Sequence, residues 1–440
     1  MTSAVLPKNM RTFSTIWIGQ LISLLGSGLT GFALGVWIYQ QTGKATPFAI
    51  TVLFANLPPV LLGPIVGSIA DRYDRKKIML IADTGNALVT LLALVLLFTN
   101  SLQIWNIFLI VLVGSVFGAF QEPAFAASVV MLVPKKDLQR ANGMAQMSNA
   151  LGNLISPLLS GVLFGLIGLK GIILIDFITY FAALFTLIIS KIPMPVLTEE
   201  QKNSGGWKDA MAGWRYLRAH GGLLGLVIFF AGINFMLNFA TVLTSPMVLA
   251  TLSPEVLGTI MTVSGLGMFL GSVLLSAWGG PKKNKIISII GFAVLTTIGL
   301  GIAGLRANPY FIGAGFFLLL FFVPLVSGTS QSIFQTKVPL DLQGRVYAMR
   351  SMISRSIMPI AFLTAGPLAD YIFEPLMAEG GALSNSLIAR IIGVGPGRGI
   401  GLLFLICAFG GLVTIASVWG NKKVRRIETD IPDVIPEAGD

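Results

Sequence analysis

Cysteine and histidine are almost absent from these 440 residues: Cys407 and His220 are the only ones. A single thiol excludes an internal disulfide, and a single imidazole leaves no Cys/His cluster of the kind that holds zinc, copper or iron. Carboxylates are also scarce, 19 against 30 lysines and arginines, and charged residues of both signs make up only 11% of the chain. No GxxxxGK[ST] phosphate loop occurs, which excludes ATP hydrolysis by that route. Nor is there a nucleophile elbow or an acid and base pair at usable spacing, so nothing marks an enzyme and no cofactor is implied.

What fills the chain instead is apolar. Hydrophobic residues make up 54%, and the mean hydropathy is +0.83, far from the balance of a soluble domain. A helix needs about 20 apolar residues to cross the hydrocarbon core, and only helices or closed barrels satisfy their backbone polar groups in lipid. Twelve such runs are present, at 13–39, 47–70, 77–99, 104–126, 144–169, 171–191, 221–249, 254–279, 284–306, 309–334, 346–372 and 398–420. The sequence predicts an all-α membrane protein with twelve transmembrane helices. The first run is longer than a signal-peptide core and has no AxA-like cleavage site after it, so it is expected to be a retained span. Cys407, within the last run, reads as inert packing.

The net charge of +11 reports orientation rather than a nucleic-acid partner. With both termini placed inside, 24 of the 30 basic residues fall at inner segments. Five (Lys44, Lys170, Arg306, Arg390, Arg398) fall in outer loops and one, Arg355, within a span. That is the positive-inside bias of a cell-membrane protein with cytoplasmic termini. The seven tryptophans fit as interface anchors: Trp17, Trp37, Trp105, Trp278 and Trp419 near span ends, Trp207 and Trp214 in the middle loop.

That middle loop turns polar at MPVLTEEQKNSGG and continues as WKDAMAGWRYLRAH. Trp207, Ala210, Met211, Trp214 and Leu217 recur at helical spacing, which reads as a helix on the inner membrane surface. His220 ends it as a solvated loop residue. The loop divides the spans six and six, and the halves repeat. Residues 133–163 laid on 338–368 without a gap give nine identities in 31 positions, including Val133/Val338, Pro134/Pro339 and Arg140/Arg345. Two pseudo-symmetric six-helix bundles are expected, a transporter architecture. The boundaries are a first bundle at 1–191, the linker at 192–220, a second bundle at 221–420 and a tail at 421–440.

Between spans two and three lies GSIADRYDRKK, residues 67–77. Asp71 sits where the dipole of its own helix is negative, so it needs a partner elsewhere: Arg75, or the positive end of another helix. The stretch resembles the signature turn GxLADRxGRRR of the major facilitator superfamily. Gly67, Ala70, Asp71, Arg72, Arg75 and Lys76 match, while Asp74 stands where glycine is usual. With twelve spans, the repeat and the long middle loop, the resemblance covers essentially the whole chain and implies the major facilitator fold. It also implies that the turn is a cytoplasmic latch. The Asp would meet the eleventh helix, and the Arg an acid on the fourth, for which Glu122 is the available residue.

The fifth span, GMAQMSNALGNLISPLLSG, resembles the antiporter motif GxxxxxxxxGxxxGPxxGG of proton-coupled exporters. Gly143, Gly152, Pro157 and Gly161 fall in register, and Ser156 and Ser160 replace glycines. EPAFAASVVMLVPKKDLQRANG and QTKVPLDLQGRVYAMR resemble the branch containing macrolide-efflux and enterobactin-export proteins. The fourth span lacks the RxxQG arginine of many proton-coupled exporters, so their proton mechanism does not transfer whole.

Three spans carry polar stripes at helical spacing: Gln20, Ser23, Ser27 and Thr30 on the first; Gln146, Asn149, Asn153, Ser156 and Ser160 on the fifth; Asn234, Asn238, Thr241 and Ser245 on the seventh. Each should face protein or water, since polar groups in lipid are costly. The resemblance places the first and seventh helices on the central cavity, making Gln20, Ser23, Ser27, Asn234, Asn238 and Thr241 candidate substrate contacts; interhelical hydrogen bonding is the alternative. Arg355, some ten residues into the eleventh span, joins them as a buried cation needing a counter-ion or anionic ligand. Glu122, Asp83 and Asp176 are candidate proton carriers, although the resemblance puts helices three and six away from the cavity, which favours structural roles for the two aspartates. The expected function is a proton-coupled, monomeric exporter of small amphipathic compounds such as drugs, macrolides or siderophores, in contact with lipid. A facilitator or importer of the same fold, including a lysolipid transporter, and a transport-inactive receptor remain as alternatives.

Overall fold

The computed structural model describes residues 10–134, 137–192 and 207–434. The side chains at a few helical positions, among them Gly67, Asp71, Arg72, Gln146, 207–212 and Arg355, lie outside the described set. Among the described residues every regular element is helical. The chain separates into two compact units. The first comprises Met1–Gly43, Ile50–Lys202 and Ser253–Thr262, the second Lys44–Ala49, Asn203–Leu252 and Val263–Asp440.

In the first half of the chain, α1 (Met10–Thr42), α2 (Ala45–Arg72), α3 (Arg75–Phe98) and α4 (Ile104–Leu132) each cover one predicted run. α5 (Leu138–Ile189) is 52 residues long and holds runs five and six. Its backbone breaks at Gly168, at φ 64° and ψ −174°, a conformation that only glycine adopts without strain. Among the described residues eleven helices are long and apolar enough to cross a membrane, and the longest of these, Gly143–Ile189, contains that break. It therefore supplies two crossings, giving the twelve expected.

α1 packs along α5 at close range. A Cβ on Gly19 would stand 2.0 Å from Thr186 Oγ1, and one on Gly26 2.1 Å from Thr179 Oγ1. Both pairs are seven residues apart, so the two glycines present one face to the two threonines, as small residues do where membrane helices touch. Phe13, Ile16, Met79 and Leu187 form one fully buried cluster of this unit, and Ile38, Ile107, Ile172 and Ile173 belong to another. Exposed apolar side chains such as Leu88, Leu92, Phe181 and Phe185 face outward, as lipid requires.

The second half runs α6 (Trp207–Ala219), α7 (Gly221–Leu249), α8 (Pro254–Trp278), α9 (Lys285–Leu305), α10 (Pro309–Lys337), α11 (Leu340–Ser356) and α12 (Met358–Leu368). A π-helical turn (Ala369–Phe373) leads on to α13 (Glu374–Met377), α14 (Leu387–Ile392), α15 (Arg398–Gly420), α16 (Lys422–Arg425) and α17 (Ile427–Asp430). The predicted eleventh run is thus segmented. Pro359 near the start of α12 and Pro367 near its end lack backbone donors, and the chain restarts or widens at each.

The repeat is visible as backbone. Val133 ends α4 at φ −101°, ψ 135°, and Val338 ends α10 at φ −105°, ψ 127°; each donates its N–H to the residue four before it. The following prolines, Pro134 and Pro339, cannot continue the helix. The described end of the linker helix α6 rests on protein: Leu217 is fully buried, and a Cβ on Gly213 would lie 2.3 Å from Arg345 O. The Tyr216 hydroxyl donates to Lys337 O at 2.9 Å, and burial raises its pKa.

Candidate substrate site

A cavity of about 670 Å³ opens within the first unit, walled by α1, α4 and the start of α5. Trp17, Leu21, Leu24 and Phe125 supply its apolar surface, and Gln20, Gln121, Glu122, Ser148 and Asn149 its polar one. That volume suits a drug-sized ligand, and sparse polar groups on an apolar wall are what orient one. Glu122 is exposed there. Trp17, expected as an interface anchor, is instead part of this wall. Its indole N–H donates to Met144 O at 2.9 Å, because a ring nitrogen away from water needs an acceptor.

Gln20 stands where the cavity meets the bundle interior. Its Oε1 accepts from Gln121 Nε2, and its Nε2 donates to Asp83 Oδ2 at 2.8 Å. Asp83 is only 3% exposed. Further along α1, Ser27 Oγ donates to Asp176 Oδ1 at 3.2 Å and lies 3.0 Å from the Tyr180 hydroxyl. Asp176 is 1% exposed. Ser23 is buried too. Of the three residues of the α1 stripe expected to touch substrate, Gln20 alone lines this cavity. Ser27 turns to α5, where a carboxylate accepts its hydroxyl proton.

Several other expected residues are satisfied by their own surroundings. On α7, Asn238 Nδ2 donates to Asn234 O and Thr241 Oγ1 to Leu237 O, both at 2.7 Å and both one turn back. Asn234 also lines a small void of about 30 Å³ in the second unit. The His220 ring lies against that of Tyr216, with centroids 4.2 Å apart and the planes tilted by 30°, at the start of α7. Cys407 is a free thiol on α15.

In the signature turn, Gly67, Asp71 and Arg72 lie outside the described side chains, and so does Arg355 on α11. The rest of the turn serves the ends of helices. Asp74, the departure from the family pattern, is the N-cap of α3, its Oδ1 accepting from Lys76 N at 2.9 Å. Arg75 Nη1 donates to Ala127 O near the end of α4 at 2.8 Å, and Lys76 Nζ to Ile188 O and Ser190 O at the end of α5. Cations at helix C-termini meet the negative end of the dipole.

The antiporter-like motif is divided between two neighbours. Ser156 Oγ donates to Leu25 O at 3.3 Å and Ser160 Oγ to Leu29 O at 2.8 Å, so the two serines in place of glycine bond the α1 backbone. Pro157 and Gly161 face the first turns of α8: a Cβ on Gly258 would lie 2.5 Å from Pro157 O, and one on Gly161 2.8 Å from Pro254 O. Gly152 has Leu24 at ordinary contact distance, and Gly143 is open.

Sequence reasoning passed over three acids and one arginine. Asp370 accepts from Ala45 N and Thr46 N (2.8 and 2.7 Å), Glu374 from Gly397 N and Ile400 N (3.0 Å each), and Glu428 from Lys285 N and Ile286 N (2.9 and 3.4 Å). Each binds the first turn of a helix. Arg350 lies against Phe230 and Phe334, at 5.3 and 4.7 Å to the ring centroids, and donates to Gln331 at 3.0 Å. Asp370 and Arg350 both fall within the eleventh apolar run, and an ionisable residue in such a run was the available signal.

Comparison with known proteins agrees with this arrangement. The Major Facilitator Superfamily profile matches residues 16–362. Macrolide efflux protein A of Streptococcus pyogenes is 28% identical over 378 residues, covering 82% of this chain and 90% of that protein. The enterobactin exporter EntS of Salmonella typhi is 26% identical over 350 residues, 77% and 81% of the two chains. Among solved structures, a bacterial homologue of the human lysosomal transporter Spinster matches with a TM-score of 0.69 at 14% identity, over 94% of this chain and 98% of that one. A bacterial homologue of the iron transporter ferroportin gives 0.68 at 15%, over 92% and 97%. At such identities the two structures speak to fold alone. Profile, helices and efflux relatives converge: the chain belongs to the major facilitator superfamily, a multi-pass membrane transporter and not an enzyme.

Proposed function

We propose that this transporter is an exporter of small amphipathic compounds, driven by protons entering in exchange and working by alternating access. The observation that carries the reading is the cavity of about 670 Å³, with Trp17, Leu21, Leu24 and Phe125 beside Gln20, Gln121, Asn149 and the carboxylate of Glu122. An apolar wall with one acid fits a bulky cationic or weakly basic molecule better than a sugar, which needs many hydrogen bonds. The macrolide and enterobactin exporters among its relatives support the direction of transport. Each proton falling through 100 mV supplies about 2.3 kcal/mol, enough for uphill export of a substrate. On this reading the protein is a monomer of the plasma membrane with both termini cytoplasmic, and residues 1–191 and 221–420 are its alternating bundles.

The test is accumulation of erythromycin and ethidium in a pump-deficient bacterium expressing the chain. Lower accumulation, restored by a protonophore, is the expected result. Unchanged accumulation across a broad panel of macrolides and dyes refutes the exporter reading. Export that survives the protonophore refutes proton coupling alone.

A further inference from the structure

Two carboxyl groups are buried in the core of the first unit without a positive partner. Among the described residues, no lysine, arginine or histidine makes an ion pair or hydrogen bond with Asp83 on α3 or Asp176 on α5. Asp83 receives one donor, the Gln20 amide at 2.8 Å, and Asp176 receives Ser27 Oγ at 3.2 Å. The titratable groups around them are Tyr180, whose hydroxyl is within electrostatic reach of both, and, on the cavity wall next to Gln121, Glu122. All are neutral or acidic.

A carboxylate held away from water persists when an opposite charge or several hydrogen bonds offset the loss of hydration. Among the described residues no cation offsets either acid and few donors reach them, which points to a compensating charge from outside. A metal cation would need several oxygen ligands. Gln20 turns its NH₂ toward Asp83, with its oxygen occupied by Gln121, and no group of three or more Cys, His, Asp or Glu converges among the described residues. A proton needs only the carboxyl oxygen. Thr30 Oγ1 is buried beside Asp176, and a protonated Asp176 offers that hydroxyl a donor as well as an acceptor.

We propose that Asp83 and Asp176 are the proton-binding groups of this transporter, Asp83 being reached from the substrate cavity through Gln121 and Gln20. The first helix then contributes a polar side chain to each acid. Gln20 joins the cavity to Asp83, and Ser27 joins Asp176 to Tyr180. Gln20 is a positioning residue, holding Asp83 by its amide. Binding is a simple protonation, with the proton arriving from cavity water and leaving by the same carboxyl oxygen. This deepens the proton-coupled reading above and rests on it only for its purpose, since the binding itself can be observed without transport.

The experiment is infrared difference spectroscopy on the full chain in lipid bilayers, stepping the pH with no substrate present and following the carbonyl stretch of protonated carboxyl groups. Wild type is expected to show two buried-carboxyl bands, with Asp83→Asn and Asp176→Asn each losing one. Gln20→Leu is expected to move the pH midpoint of the Asp83 band and leave that of Asp176, which a merely structural glutamine would not do. Wild type without such bands, or bands retained in both aspartate variants, overturns the proposal, as do bands abolished by sodium ions at constant pH. The wild-type measurement needs no variant to fold. Absent bands together with protonophore-sensitive erythromycin export would leave proton coupling standing and assign it to another group.

Discussion

The acids of the two units have different partners. In the second unit, Asp370, Glu374 and Glu428 each accept backbone N–H groups from the first turn of a helix. Two of the helices they serve have no cap of their own. α15 is preceded by Gly397, and the Asn284 side chain makes no bond to α9. Orphan N–H donors and the positive end of the dipole stabilise a carboxylate there, so these charges have a structural reason to exist. In the first unit, Asp83 and Asp176 sit in mid-helix against neutral side chains, and no helix end needs them. The contrast separates charge that holds the fold from charge that the fold has to tolerate.

Replacing both tolerated acids should have the largest effect on transport. In Asp83→Asn with Asp176→Asn, gradient-driven efflux of erythromycin is expected to fall about 5- to 150-fold, the span of a coupling free energy of ~1–3 kcal/mol, with the thermal midpoint nearly unchanged. Equal loss of folding would break the comparison. Glu374→Gln should do the reverse. Removing a charge bonded to two backbone donors beside the buried Arg398 should cost about 1–3 kcal/mol of stability, read as a lowered unfolding midpoint in detergent, while transport below that midpoint persists. A smaller loss, about 1 kcal/mol, is expected for Glu428→Gln, together with faster tryptic cleavage in the segment around residues 422–426. The smallest effect belongs to Ser156→Gly or Ser160→Gly. Each restores a motif glycine and removes one interhelical hydrogen bond worth about 0.6 kcal/mol in a membrane bundle, so transport should stay within twofold of wild type.

The helices were readable because lipid leaves little choice: every long apolar run is helical, although runs five and six share α5 and run eleven is segmented, and the turn after run five falls beside Gly168. The twin Val-Pro stops were readable as a repeat, and they appear as matching helix ends. Less was legible where packing decides. The tail beyond the last span reads as charged, yet Val424 and Ile427 are fully buried and Ile431 nearly so, a spacing of three and four that marked the folded face. Gln20 and Asp83 were each visible as polar residues in apolar runs, but they are 63 positions apart, and Ser27 and Asp176 are 149 apart. No local pattern joins such residues. Ser27 was therefore assigned to substrate when its hydroxyl belongs to an acid. Asp74 looked like a defect in a family motif, and only the start of α3 shows it to be a cap.

Lys337 closes α10 with its ammonium enclosed by Glu428 O, Ile431 O and the Asp433 carboxylate. The first of these partners lies 91 residues further along the chain. At about 5–20 residues per second of synthesis, the ribosome reaches that residue roughly 5 to 20 s after Lys337 has been made. Until residues 428–433 have been made the terminal cation of α10 lacks these three partners, so this corner of the second unit closes late in synthesis.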